Sequence, residues 1–253
     1  MLAVCLVAPA FAGAVNVQVT GRVAQPGPQT LPEGARLSDA LLKADVLPDA
    51  YPLGAAWLRA SLRKTQTRWK AGLIYDVTLL QGQARLDGNT ALAALASRLE
   101  KRWRALPVTG RQRKALLDPR PLEISDRNHL LASGDRIIYP TRPDTIRVVG
   151  AVRKPCTLPF VPMQAARDYL PACPSAPAAD KDWLYIIQPD GDVTRQAIAL
   201  WNRHGTQPLA PGAVLYVPLE PKLVPAPVRD SFNHDAARFL STQVLSATPK
   251  VRP

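Results

Sequence analysis

The chain has 253 residues, a formal net charge of +12 and a hydrophobic fraction of 47%. This length suits one large domain or two of ordinary size, and the apolar fraction is sufficient for a packed core. No run approaches the roughly 20 apolar residues of a membrane-spanning helix, so we expect none. The 26 prolines fall mainly at predicted strand ends and turns, which favours short strands over disorder.

The first residues form a short apolar run that ends in Ala-x-Ala at Ala12. This form is typical of the hydrophobic segment and cleavage site of a secretory signal, although the basic residues that normally precede it are missing. A buried first strand is the alternative, but Pro9 and many small residues disfavour it. We expect residues 1–12 to be a signal peptide with a truncated start, and the mature chain to be exported. We expect no lipid anchor at Cys5, because a lipoprotein signal needs a small residue before the cysteine and Val4 is there instead.

Two segments share a pattern of strand, Gly/Pro turn, strand and short helix. They are residues 15–42 and residues 144–170. Each unit also closes with a similar apolar strand, at residues 134–140 and 212–218. An internal repeat of this kind indicates that the chain folds into repeated structural units. We therefore expect two tandem units, over residues 13–143 and 144–221.

A helical pattern interrupts the first unit. The spacing of apolar residues predicts a helix over about residues 54–83 and a second helix that ends before Pro107. Asn89 or Thr90 is a suitable N-cap for the second helix. The apolar face of the first helix is predicted to contain Leu58, Leu62, Trp69, Leu73, Val77 and Leu80. The two helices form an αα-hairpin at about residues 54–107, and strands are expected to resume at 121–124 and 137–139.

Most of the positive charge lies in and beside this hairpin. Residues 54–120 contain 14 Lys and Arg against four Asp and Glu, a net charge of +10. This localisation favours a polyanionic partner, and a charged surface that serves solubility is the alternative. For an exported protein the partners would be acidic polysaccharide, anionic lipid headgroups or an acidic protein surface. We expect no nucleic acid, because no binding motif accompanies the charge.

The second unit continues with predicted strands at residues 183–187, 193–199 and 214–217. Residues 222–253 then form a proline-containing linker, a predicted amphipathic helix over about 231–246, and a tail from residue 247 that we expect to be disordered. The helix either packs on its own domain or offers its apolar face to a partner or membrane surface. That face contains Phe232, Phe239 and Leu240.

Removal of the signal would leave two cysteines, Cys156 and Cys173, both in the second unit. In an oxidising compartment two cysteines in one small domain are often bridged. Two separate buried thiols are the alternative, because spacing alone does not place the Cα atoms within about 7 Å. Further metal ligands are missing nearby, so we expect no metal site.

The order of these elements resembles a known family. The elements that carry the resemblance are the tandem units, a Leu-rich hairpin that closes at residues 106–111, and the segments at residues 134–140, 186–191 and 199–202. This order is similar to that of the GfcC (YjbG-like) family of capsule and exopolysaccharide proteins. The resemblance implies an α+β fold with two tandem β-grasp domains, like the soluble-ligand-binding (SLBB) domains of Wza-type outer-membrane polysaccharide exporters. It also implies a periplasmic location and a role in polysaccharide assembly or export, without an established catalytic activity.

The sequence contains no phosphate-binding glycine loop, no Gly-x-Ser-x-Gly and no His-Glu-x-x-His, so we assign no catalytic residue and expect no cofactor. Arg111 follows a Gly turn at the mouth of the hairpin, where a guanidinium could bind a carboxylate or phosphate bidentately. A structural salt bridge is the alternative role of Arg111. The candidate polyanion-binding residues are Arg111, Arg113, Lys114, Arg102 and Arg104.

We therefore predict a periplasmic, non-catalytic protein that binds acidic polysaccharide or the outer-membrane exporter. Two alternatives stay open: a polysaccharide-modifying or -cleaving enzyme with a pocket near Arg111, and a membrane-surface adaptor that uses the C-terminal helix. Acid pairs in one deep cleft would favour the enzyme, and a basic groove would favour the binding protein. An exposed stripe of Phe232, Phe239 and Leu240 would favour the adaptor.

Overall fold

The computed structural model describes residues 13–202, residue 205 and residues 207–245. The predicted signal peptide and the predicted disordered tail lie outside these residues. Among the described helices, none combines the length and the apolar character that crossing a membrane would require.

The first sheet has five strands: β1 (Ala14–Gly21), β2 (Gly27–Pro32), β3 (Ala56–Leu58), β4 (Arg111–Gln112) and β5 (Arg136–Tyr139). Their order in the sheet is β2-β1-β5-β3-β4. Strands β1 and β5 run parallel, and the other neighbours are antiparallel. Helix α1, Leu37–Ala44, follows β2 and buries Leu37 and Leu41 in the core of this unit.

The second sheet repeats this topology in the order β7-β6-β10-β8-β9, with β6 and β10 parallel. Gly21 and Gly150 end the first strand of each unit at positive φ. An added Cβ would lie 2.0 Å from the Tyr139 carbonyl oxygen at Gly21 and 2.3 Å from that of Val217 at Gly150. Both units therefore need glycine there. The strands are β6 (Thr145–Gly150), β7 (Cys156–Pro159), β8 (Trp183–Ile187), β9 (Val193–Ala197) and β10 (Val214–Val217).

The hairpin consists of α2, Ala60–Leu86, and α3, Thr90–Ala105. The Asn89 side chain caps α3 by accepting a hydrogen bond from the main-chain N–H of Leu92, at 3.0 Å. Although the hairpin is inserted in the first unit of the sequence, its buried residues share a hydrophobic core with the second sheet.

Two predicted elements of the first unit are different in the structure. Residues 56–58 are not the start of a helix but a buried strand, in which Trp57 pairs with Ile137 of β5. The strand expected at residues 121–124 is also wrong. A one-turn helix, α4 (Pro119–Leu122), lies there because Asp118 caps it and proline suits its first position. In the second unit, the predicted short helix is a single 3-10 turn, Ala166–Tyr169.

The C-terminal helix α5, Phe232–Leu240, is shorter than predicted. Its apolar face packs into the core that the hairpin and the second sheet share. Phe232 and Phe239 are fully buried and Leu240 is 9% exposed. The Phe232 ring lies against Trp103 with a centroid distance of 5.8 Å. The prediction that these residues contact a membrane or partner is therefore wrong, because their apolar surface is already covered within the chain.

Candidate polyanion-binding cleft

A cleft of about 220 Å³ lies between the first half of α2 and the edge strand β4. We call it the Trp69 cleft. One wall is a face of α2 whose residues recur at helical spacing, and the other is the segment of residues 111–114. The lining residues are Leu62, Thr65, Gln66, Trp69, Arg111, Gln112, Arg113 and Lys114.

Gln66 fixes the two walls together. Its side chain is buried, donates to the Arg111 carbonyl oxygen at 2.9 Å and accepts from the Gly110 N–H at 2.8 Å. Gly110 has a φ of +77°, and a Cβ there would lie 2.4 Å from the carbonyl oxygen of Arg59. The glycine therefore allows the chain to approach α2 closely and places residues 111–114 along the helix.

Arg111 is only 3% exposed. Its guanidinium donates to the carbonyl oxygens of Gln243 at 2.8 Å and Ala55 at 3.1 Å, and to that of Pro189. Burial lowers the pKa of Arg111 to about 10, and nearby Asp190 opposes this shift, so the side chain is still charged at neutral pH. Since Nη1 and Nη2 both donate to the main chain, the structure contradicts a ligand-binding role. Arg111 instead joins the first sheet, the second unit and the C-terminal segment, through carbonyl groups rather than a salt bridge.

Arg113 and Lys114 line the cleft beside Arg111 and differ from it in environment. Arg113 is partly buried and donates to the Ser241 hydroxyl at 3.3 Å. Burial lowers the pKa of Arg113, nearby Arg238 lowers it further, and Asp192 opposes both. The Lys114 side chain is 59% exposed and forms an ion pair with Asp192 at 2.8 Å.

Arg238 of α5 completes this group of cations. Its guanidinium carbon lies 3.7 Å from the ring centroid of Trp69, within the range of a cation–π interaction. Arg238 is not itself a lining residue, but it lies against Trp69 and near Arg113, so it adds positive charge beside the cleft. Sequence reasoning missed Arg238 because it is distant in the chain from residues 111–114, and α5 was interpreted only by its apolar face.

Arg102 and Arg104 do not line the Trp69 cleft. Arg104 forms an ion pair with Glu100 at 2.7 Å, one turn earlier on α3. Arg102 is partly buried, and its Nε atom has no hydrogen-bond partner among the described residues. It lies near Arg147 of β6, and there it adds to the effect of burial in lowering the pKa of Arg147. The five candidate cations of the sequence therefore occupy four different environments.

The side chains that line the Trp69 cleft are of types that can bind an anion. Among the described residues that line it, none is Asp or Glu, whereas glycoside hydrolysis ordinarily uses a pair of carboxyl groups. Guanidinium and ammonium groups bind carboxylates and phosphates, and an aromatic ring gives a large apolar contact. This combination suits an acidic sugar unit.

The two cysteines lie apart from the cleft and form a disulfide in the structure, with Cα atoms 5.9 Å apart. Cys156 begins β7, and the fully buried Cys173 lies in the loop after the 3-10 turn. Of the two alternatives that the sequence left open, the structure contains the bridged one.

Two family models match the chain. Residues 154–245 match the model described as capsule biosynthesis GfcC C-terminal, and residues 16–44 match the SLBB domain. The protein called uncharacterized protein YjbG, of Escherichia coli (strain K12), is 28% identical over 195 residues, which cover 76% of this chain and 78% of that relative. The resemblance to the GfcC (YjbG-like) family is therefore confirmed, as is the fold of tandem SLBB-like domains. The matches support a role in capsule or polysaccharide export.

Proposed function

We propose that this chain, similar to GfcC proteins of capsule biosynthesis, is a periplasmic, non-catalytic component of polysaccharide export. In this proposal it binds an acidic polysaccharide in the Trp69 cleft. The observation that carries the proposal is that Arg113, Lys114 and Trp69 line one cleft, with Arg238 stacked on the Trp69 ring beside it. Contact with the outer-membrane exporter itself stays a prediction.

Each group of the cleft has a distinct role in this binding. Arg113 offers a planar guanidinium that can hold a carboxylate with two hydrogen bonds, and Lys114 adds a more mobile point charge. Arg238 covers one face of the Trp69 ring, and the part of Trp69 that lines the cleft provides apolar contact for the C–H groups of a sugar ring. Gln112 and Thr65 provide donors and acceptors for hydroxyl groups.

The ion pair between Lys114 and Asp192 does not prevent this binding. Exposed ion pairs contribute only about 0–1 kcal/mol, so a carboxylate of the polymer can replace Asp192 at little cost. Arg63 and Arg68 are exposed on the same two turns of α2, to either side of the face that lines the cleft. A polymer with one acid in each repeat could therefore make several weak contacts at once, and its binding should fall as salt screens these charges.

The test measures binding of the mature protein to polygalacturonate, a polymer of uronic acid, over a salt titration, with neutral dextran for comparison. We expect salt-sensitive binding to polygalacturonate and little binding to dextran. The double variant Arg113→Gln/Lys114→Gln should bind about tenfold more weakly, equivalent to about 1.4 kcal/mol, with an unchanged melting temperature because both side chains lie at the surface or rim.

A matched control removes two charges elsewhere. Arg120 and Arg136 are exposed and do not line the cleft, so Arg120→Gln/Arg136→Gln should change the affinity less than twofold. Equal losses in the two double variants would show that net charge, not the cleft, is responsible, and would refute the proposed site. The size of the polymer is measured after the same incubation, and shortened chains would refute the non-catalytic role.

A further inference from the structure

A second cavity, of about 350 Å³, lies between the first half of α3 and the second unit. We call it the Arg98 cavity. It shares no lining residue with the Trp69 cleft. Its volume is in the range of small-molecule sites, about 300–1,000 Å³. The cavity is therefore a separate site, and the inference below does not depend on the proposed function.

The walls of the Arg98 cavity are apolar and built from small residues. Ala91, Ala94 and Leu95 lie on one face of α3, at helical spacing. Residues 176–178, Ala-Pro-Ala, and Leu223 form the opposite side. Because alanines are present on both sides, the helix and the loop enclose a volume that longer side chains would fill. Such a surface favours an apolar ligand.

Two arginines from separate segments line the same cavity. Arg98 is on α3, one turn beyond Ala94, and Arg153 is in the turn after β6. Both are exposed, and neither forms an ion pair within the described part of the chain. Among the described residues, the lining also contains no Asp or Glu. The two guanidiniums therefore leave an uncompensated positive potential beside an apolar surface.

The disulfide lies beside the turn that carries Arg153. The main-chain N–H of Arg153 donates to the carbonyl oxygen of Pro174 at 2.9 Å. Pro174 follows Cys173, which is bridged to Cys156 three residues beyond Arg153. The main chain at Arg153 is thus tied to the loop that leads to residues 176–178, so one cation and one apolar wall of the cavity belong to linked segments.

We propose that the Arg98 cavity binds a small amphiphilic anion, an apolar chain with a carboxylate or phosphate headgroup. The chain lies against the alanine and leucine walls, and the headgroup is held by Arg98 and Arg153. A guanidinium pair suits either headgroup. The amide of Asn89, which also lines the cavity, adds a hydrogen-bond donor.

The test is calorimetric titration of the mature protein with octanoate, octyl phosphate and octanol, each below its micelle concentration. We expect one-to-one binding of at least one anion, and at least tenfold weaker binding of octanol. Octanoate and octyl phosphate distinguish a carboxylate ligand from a phosphate ligand. Equal binding of octanol, or no binding of either anion at millimolar concentration, would overturn the proposal.

Three variants locate the site. Arg98→Gln and Arg153→Gln should each weaken binding of the anion at least tenfold, and Ala94→Leu, at an exposed position, should block it by filling the cavity. The control Arg113→Gln/Lys114→Gln should bind the anion as the unmodified protein does. Full affinity in Arg98→Gln would refute the site, provided that its circular dichroism spectrum is unchanged. The Arg98→Gln variant should still bind polygalacturonate, because Arg98 does not line the Trp69 cleft. Loss of anion binding in this variant is therefore distinguishable from a failure of the proposed function.

Discussion

The two β units have the same strand order but different coverings. In the first unit, α1 supplies a local helix, and in β5 buried residues, Ile137 and Tyr139, alternate with more exposed ones. The strand of the second unit that corresponds to β5 is β10. In the second unit, a single 3-10 turn stands at the position of α1, while all four residues of β10 are buried. The hairpin and α5 provide the additional cover, from outside the repeated segment.

This difference shows that a repeated topology does not determine how each sheet is buried. A strand that is covered on one face alternates between apolar and polar residues, and a strand covered on both faces is apolar throughout. The first unit depends mainly on its own residues. The second unit depends on two distant segments, so we expect its stability to be coupled to the hairpin.

The largest expected effect comes from removing the contact between the hairpin and α5. Trp103 is fully buried against Phe232, so Trp103→Ala should lower the free energy of unfolding by about 3–5 kcal/mol. Amide hydrogen exchange under native conditions should show that protection in Trp103→Ala falls more in β8 and β10 than in β1. Trp57→Ala, in the core of the first unit, is the matched variant and should reverse this order. Equal loss in all strands of both variants would show that the two units unfold as one.

A smaller effect is expected from Arg111, which joins the units. Arg111→Ala leaves three carbonyl groups without their charged donor, which should cost about 3 kcal/mol. Urea unfolding should then be less cooperative, because the link between the first sheet, Pro189 and Gln243 is lost. Arg113→Gln is the neighbouring control and should cost less than about 0.5 kcal/mol. A cost that small for Arg111→Ala would mean that the link does not stabilise the fold.

Much of this fold is predictable because local patterns encode it. The repeat, the bounds of α3 and the turn at Asn89 follow from apolar spacing and capping. The strands at residues 183–187 and 214–217 are also predictable from their apolar runs, but the sequence does not show that the hairpin covers their sheet. Strand β3 was missed because three apolar residues directly before α2 fit the helical spacing, and their partner Ile137 is about 80 positions away.

The candidate site was less predictable than the fold. Charge counts located the basic region, but they do not distinguish a buried cation from one that lines a cleft. Arg111 and Arg113 are two residues apart, yet Arg111 of β4 lies among carbonyl groups, whereas Arg113, just beyond the end of β4, donates to Ser241 and lies near Arg238. Such differences depend on long-range contacts, and a single sequence does not show them.

The smallest effect concerns Tyr51, whose hydroxyl donates to the carbonyl oxygen of Pro211 at 3.0 Å and so joins the two units. Burial raises the pKa of Tyr51 to about 12. Since the pKa in the unfolded chain is about 10, the unfolded state loses this proton first as the pH rises. The resulting stabilisation is complete below pH 10 and is lost between pH 10 and 12. Burial also raises the pKa of Tyr139 and that of Tyr216.

Tyr51→Phe removes both the hydrogen bond and this proton. At pH 8 the variant should be about 1 kcal/mol less stable than the unmodified protein, the usual net value of one hydrogen bond. The difference should shrink as the pH rises from 10 towards 12, because only the unmodified protein then loses the contribution of Tyr51. Urea unfolding of both proteins at pH 8 and pH 11 measures this difference in the free energy of unfolding. A difference that is the same at both pH values would show that Tyr51 titrates alike in the folded and unfolded chains, and that its contact with the second unit is open to water.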